Sequence, residues 1–254
     1  MKRWIRWTII GVVAAVVLFS GAVFVYAKFI NDAPAKLSFD DRADQTATTA
    51  TTSTTGSTAA GSNADPATTA ASPNATSVDA SDVDGTWEAT TDSQVGYRVK
   101  ENLFGVDTDA VGRTNQVTGT LTIAGTSATA ADFTVDMTTV TSDEGRRDAQ
   151  FNGRIMETDQ FPTATFELTK PIDFGSVPAA GATVKASATG DLTLHGVTKT
   201  VTFPVEARVN GADIEVLGTI PVVFADYSID NPSTAGISTA DNGTLEFLLV
   251  FSQG

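Results

Sequence analysis

The chain has 254 residues, no cysteine and one histidine, with 16 basic and 30 acidic side chains for a net charge of −14. That composition excludes thiol chemistry, a disulfide framework and zinc sites of the Cys/His type. The whole acidic excess falls after residue 81, which sets that part against phosphate backbones and anionic headgroups and argues against nucleic acid as a partner.

Residues 8–27, TIIGVVAAVVLFSGAVFVYA, carry no charge. At about 1.5 Å per helical residue they reach about 30 Å, the thickness of a bilayer's hydrocarbon core. Lys2, Arg3 and Arg6 precede this run, Trp4 and Trp7 mark its near edge and Tyr26 its far edge. The pattern predicts a single-pass helix in the cell membrane, N-terminus cytoplasmic and the remainder extracytoplasmic. A cleaved leader ending at Val25-Tyr26-Ala27 is the rival, but leader cores usually span about 7–15 residues, so the length favours an uncleaved anchor within residues 1–30. Residues 31–81 are predicted to be a disordered, low-complexity stalk. From Arg42 to Ser81 the chain is mostly Thr, Ala and Ser without an aromatic residue, too little to offset chain entropy. A coil of about 50 residues has a mean reach of about 40 Å.

Residues 82–254 form the predicted globular domain, where period-two alternation recurs between turn signals. Val95, Tyr97 and Val99 share one face, followed after a Gly- and Asp-rich loop by Val117, Leu121 and Ile123. Phe133, Val135 and Met137 come next, then Ala164, Phe166 and Leu168. Val184 to Leu194, including Leu192, and Val201, Phe203 and Val205 flank a break at His195-Gly196 that reads as a two-residue hairpin turn. Ile214 to Phe224 and Leu245 to Phe251, with Phe247 between, complete eight strands, each dry on one side. Short amphipathic strands in this number predict an all-β, eight-stranded antiparallel barrel or sandwich. One segment departs from the rhythm: Gly145 to Asp159 places Phe151 and Ile155 four apart, as in a short helix with one apolar stripe, able to plug or gate a barrel end.

An eight-stranded barrel has room for its own side chains or for one slender ligand. The inward Phe, Leu and Val set is equally compatible with a packed core and with an apolar pocket; Phe104, Phe133, Phe166, Phe203 and Phe247 are its expected aromatic lining. Arg146 and Arg147 are candidates for holding a polar head, or else a solvated helix start paired with Asp143, Glu144 or Asp148. His195 suits the hairpin turn better than catalysis, since no G-x-S-x-G elbow accompanies it. Asp226, Asp230, Asn231 and Asp241 lack the spacing of a calcium loop, and no phosphate-binding glycine loop is present.

Three motifs in order resemble the YceI-like family over about residues 86–252: Ser93-Gln94-Val95-Gly96-Tyr97-Arg98-Val99, Arg147-Asp148 followed by Phe161-Pro162-Thr163-Ala164-Thr165-Phe166, and Leu192-Thr193-Leu194-His195-Gly196-Val197-Thr198-Lys199. The resemblance implies a lipocalin-like barrel without established catalysis or a further cofactor, binding an isoprenoid lipid such as a quinone or a polyprenyl phosphate. On that basis Tyr97, Phe104, Phe133, Met137, Phe151, Ile155, Phe166, Leu192, Leu194, Phe203, Phe224 and Phe247 are expected to meet the lipid tail, and Arg146, Arg147 and His195 its polar head. The chain departs from the family pattern at Ala149-Gln150-Phe151, where His-Leu is common, and at Thr200, where Pro is common. The function expected is a membrane-tethered extracytoplasmic lipid carrier, and the alternative is an envelope module whose barrel is filled by its own side chains. Oligomeric state is left open.

Overall fold

Alternating residues need a wall with one dry face, and the chain builds it by antiparallel pairing alone. The computed structural model describes residues 33–42, 78–234 and 236–254. The expected membrane helix and most of the expected stalk lie outside the described residues, among which no helix is long and apolar enough to cross a membrane. The strands are β1 (Gly85–Ala89), β2 (Gln94–Leu103), β3 (Val106–Thr114), β4 (Val117–Ala124), β5 (Ser127–Asp136), β6 (Thr141–Ser142), β7 (Thr163–Lys170), β8 (Ile172–Asp173), β9 (Thr183–Leu194), β10 (Val197–Asn210), β11 (Asp213–Val223) and β12 (Ile237–Gln253).

These segments make eight staves. β1 and β2 lie end to end along one edge of β12, with Trp87 opposite Gln253 and Val95 opposite Phe247. β3 and β4 lie end to end beside them, with Thr114 opposite Val95 and Leu121 opposite Trp87. The other staves are β5, β7, β9, β10, β11 and β12, and the pairing of β12 with β1 closes the ring. Between β1 and β2 the fully buried Ser93 hydroxyl accepts from the Val250 amide at 3.0 Å, so a side chain holds the ladder where the strand is interrupted. The protein is thus an eight-stranded antiparallel β-barrel with one short helix at its mouth.

Two local expectations are corrected. Residues 106–114, read from their Gly and Asp content as a loop, are β3. Asp107 and Asp109 occupy its outward positions, where Asn102 and Lys100 meet them, so residues poor in strand propensity cost little on the wet face. β12 is not dry on one side only. Outward Leu248 and Val250 are buried with Leu37, from a segment assigned by composition to the stalk, and residues 33–42 lie on the barrel's outer wall. The β9–β10 hairpin has the expected turn: His195 and Gly196 both take positive φ, 49° and 73°, as a two-residue primed turn requires.

The helix fills a split in the wall. β4 and β5 part beyond Val117 and Val135, whereas β2 and β3 run on to Leu103 and Val106. Into this gap come β6, paired with β3, and an α-helix, α1 (Gly145–Gln150), that continues as one π-turn through Ile155. The Glu144 side chain caps α1 by accepting from the Arg146 amide. The far end of this lid is tied by Arg154, which donates to the Pro232 carbonyl at 2.8 Å.

Candidate functional site

The barrel holds a cavity of about 860 Å³, lined mainly by apolar side chains. Its lining runs from Arg146, Arg147 and Gln150 under the lid to Thr126, Ser176 and Pro178 at the opposite end. The space falls in the range of small-molecule sites, roughly 300–1,000 Å³.

What keeps it open is the seating of the large rings. Inward Tyr97 pairs with Gly112, inward Phe247 with Gly218, and Phe166 lies beside Gly190 on the adjoining strand. A Cβ at any of these glycines would collide with the aromatic ring above it. The rings therefore lie against the wall over bare backbone instead of standing across the lumen. Phe166, Phe203 and Phe247 then meet edge to face, at centroid distances of 5.5 and 6.0 Å.

Under the lid the lining turns polar. Tyr97 stacks on Phe151 of the π-turn at 5.1 Å, and Arg147 reaches down from α1 to Glu101, 3.6 Å away, while also pairing with Asp143. Burial works against charge on Arg147, but Glu101 and Asp143 outweigh it and hold the guanidinium above its ordinary pKa. Burial also pushes the Tyr97 phenol up. It raises the Glu101 carboxyl too, with Arg147 opposing and only partly cancelling the effect. Since folded Glu101 holds its proton to a higher pH than the unfolded chain, its contribution is complete below the ordinary carboxylate pKa of about 4.3 and is lost as pH rises through the folded value. Glu101→Gln is therefore expected to flatten the part of the stability profile that falls on going from pH 4 to pH 7. The difference in urea midpoint between variant and parent at the two pH values measures it, and an unchanged profile contradicts the assignment.

Of the residues singled out from sequence, Tyr97, Phe133, Met137, Phe151, Ile155, Phe166, Leu192, Leu194, Phe203, Phe224 and Phe247 all line the cavity, as do Arg146 and Arg147. Phe104 does not: it occupies the β2–β3 turn at φ 51°, 57% exposed, with its ring over Gly236. The expectation that it lines the lumen is corrected: a residue at the tip of the turn lies beyond the barrel wall. His195 also lies outside the lining. Nδ1 faces the Tyr227 carbonyl and Nε2 the Glu157 carboxylate, both at 3.1 Å, with the Phe161 ring at its edge. Nε2 thus ties the lid's end to the hairpin and Nδ1 ties the turn after β11 to it, so the ring faces these partners and not the cavity. Among the described residues no group of three or more His, Asp or Glu is placed to hold a metal ion. Asn231 donates to Asp241 at 2.8 Å, and Asp226 accepts from Lys199 at 3.3 Å.

Glu101 was missed, although its signal is in the sequence: the alternation of Val95, Tyr97 and Val99 continues to an acid on the dry face. Phe174 and Val177, in the connection after β8, also reach the cavity, and no periodicity marks them.

Comparison with known proteins places this architecture among relatives. The model of the YceI-like domain matches residues 87–251. A UPF0312 protein of Vibrio parahaemolyticus is 34% identical over 102 residues, covering 37% of this chain and 50% of the relative. A UPF0312 protein of Vibrio vulnificus is 33% identical over 109 residues, covering 40% and 54%. The chain thus spans about half the length of the curated relatives it matches. Among solved structures, Burkholderia cenocepacia BcnA superposes with TM-score 0.51 at 24% identity, covering 64% of this chain and 98% of that one. A polyisoprenoid binding domain from Saccharophagus degradans, implicated in plant cell wall breakdown, superposes with TM-score 0.53 at 19% identity, covering 66% and 98%. At these identities the superpositions establish shared fold.

Proposed function

The chain belongs to the YceI-like family, and on that premise we propose that it binds one elongated isoprenoid chain in its barrel and carries it outside the cell while tethered to the membrane. The observation that carries this is the 860 Å³ apolar cavity, kept open by rings laid over glycines. Binding is simple burial: each CH₂ removed from water is worth about 0.8 kcal/mol, so several isoprene units are held without any charge contact. The likeness to the polyisoprenoid binding domain of Saccharophagus degradans supports the ligand class. The polar end of a quinone or polyprenyl phosphate would rest under the lid, where Arg146 and Arg147 reach the cavity. The tether is the charge-free run 8–27, with Lys2, Arg3 and Arg6 on its cytoplasmic side. The protein acts as a binder and not as an enzyme.

A chain-length series tests this. Titrated calorimetrically with farnesol, geranylgeraniol and a long polyprenol in detergent, the protein is expected to bind at least tenfold more tightly per added isoprene unit until the cavity is full, since five carbons bring up to about 4 kcal/mol. Absence of binding, or affinity indifferent to length, favours the envelope module that carries no ligand.

A further inference from the structure

The outer wall of the barrel carries a second recognition surface. Its residues are outward positions on β2, β3, β10, β11 and β12, where polar, solvated side chains are the rule for a barrel. Here Glu215 and Glu246 are 0% and 2% exposed, and Leu248 and Val250 are buried beside them. The covering element is residues 33–42. Leu37 packs on Leu248 and Val250, with Phe39 and Leu217 against the same cluster. Arg98 donates to the Pro34 and Ala35 carbonyls at 2.8 and 3.0 Å, and Arg113 also donates to Ala35. Arg208 donates to the Phe39 carbonyl and stacks over the Phe39 ring at 4.5 Å. Arg42 answers the barrel's acids, reaching Asp213 at 2.6 Å and Glu215 at 3.0 Å. Apolar contact, backbone capture and charge complementarity thus coincide over ten residues.

We propose that this wall is the seat of the chain's own segment 33–42, and that seating it turns a long tether into a short strut presenting the lidded end of the cavity to the membrane. Direction is fixed by the contacts. Ala35 sits level with Glu246, Leu37 with Leu248 and Val250, and Arg42 with Asp213, which is opposite Ser252. The segment therefore runs along β12 with its N-terminal end toward the Ile237 end, where β12 pairs with β2 beside the β2–β3 turn and the lid. The inference rests on residues 8–27 being the membrane span. Only residues 28–32 then separate the span from the seated segment, a reach of no more than roughly 20 Å when fully extended. The distance to the membrane is then set by the seat and no longer by the length of residues 43–77.

The absence of cysteine makes the test clean. Spin labels at Lys36→Cys and Lys185→Cys in the full chain, reconstituted in phosphatidylcholine nanodiscs, are expected to give one narrow distance distribution. Leu37→Asp with Arg42→Glu is expected to broaden it several-fold. Fluorophores placed singly at Asp159→Cys, beside the lid, and at Ala212→Cys, at the far end, are expected to be quenched unequally by a lipid-borne quencher, Asp159 the more strongly, with the inequality lost in the Leu37→Asp, Arg42→Glu chain. A broad distribution in the parent chain, or equal quenching at the two ends of a seated chain, overturns the proposal. Release of the chain by alkaline extraction overturns the membrane-span premise and the orientation with it, while a narrow distance in the released protein still upholds the seating.

Discussion

Ala188→Trp is expected to reduce isoprenoid affinity at least 100-fold while leaving the barrel folded. Ala188 faces the lumen, 2% exposed, opposite Phe203 and within the cavity lining. An indole there enlarges the cavity wall inward, at a strain of roughly 1–3 kcal/mol as is typical of enlarged core residues. The ligand loses the volume. Excluding one five-carbon unit forfeits up to about 4 kcal/mol, close to a thousandfold in affinity. Calorimetric titration with geranylgeraniol, alongside far-ultraviolet circular dichroism, separates the two effects. Ala188→Ser, which adds little volume, is expected to bind nearly as the parent does. Undiminished binding by a folded Trp variant places the ligand elsewhere.

The largest stability effect is expected on the outer wall, from Arg98→Met combined with Arg113→Met. Glu246 is 2% exposed; Arg98 reaches it at 3.2 Å and Arg113 at 2.9 Å. A buried carboxylate left without its partners costs about 3–5 kcal/mol, a large share of the stability of an ordinary domain. For a domain of this size the loss corresponds to a fall of about 10 °C in melting temperature. The two arginines also hold the Pro34 and Ala35 carbonyls, so the seated segment is expected to loosen as well. Adding Glu246→Met should restore most of the stability, because a buried ionic cluster exchanged for apolar side chains of similar size is often neutral. No recovery in the triple variant would show that the arginines act through the segment and not through Glu246.

How much of this was legible in the sequence follows from which faces meet which neighbours. Strands dry on one face announced themselves through alternation, and the His195-Gly196 turn through its two residue types. The cavity did not. Inward Phe and Leu read the same whether they fill a lumen or line it, and the difference lies in register, which sets Gly112 under Tyr97 and Gly218 under Phe247. Glu101, an acid breaking a dry face, and the run Phe247 to Phe251, whose continuous apolarity signals cover on both sides of β12, carried their signals in the sequence but were passed over by a reading that looked only for alternation. The cover itself, Leu37 and Phe39 ahead of a low-complexity stretch, could not be matched to its seat from sequence, because the two lie some two hundred positions apart and meet only when the barrel closes.

The most direct measurement is native mass spectrometry, with organic extraction, of the full chain purified from membranes of an isoprenoid-producing host. One isoprenoid lipid per barrel in the parent protein, and none in the Ala188→Trp variant, is the expected result. A parent protein that emerges empty, or carries only straight-chain lipids that the Trp variant carries equally, would contradict the assignment of the cavity.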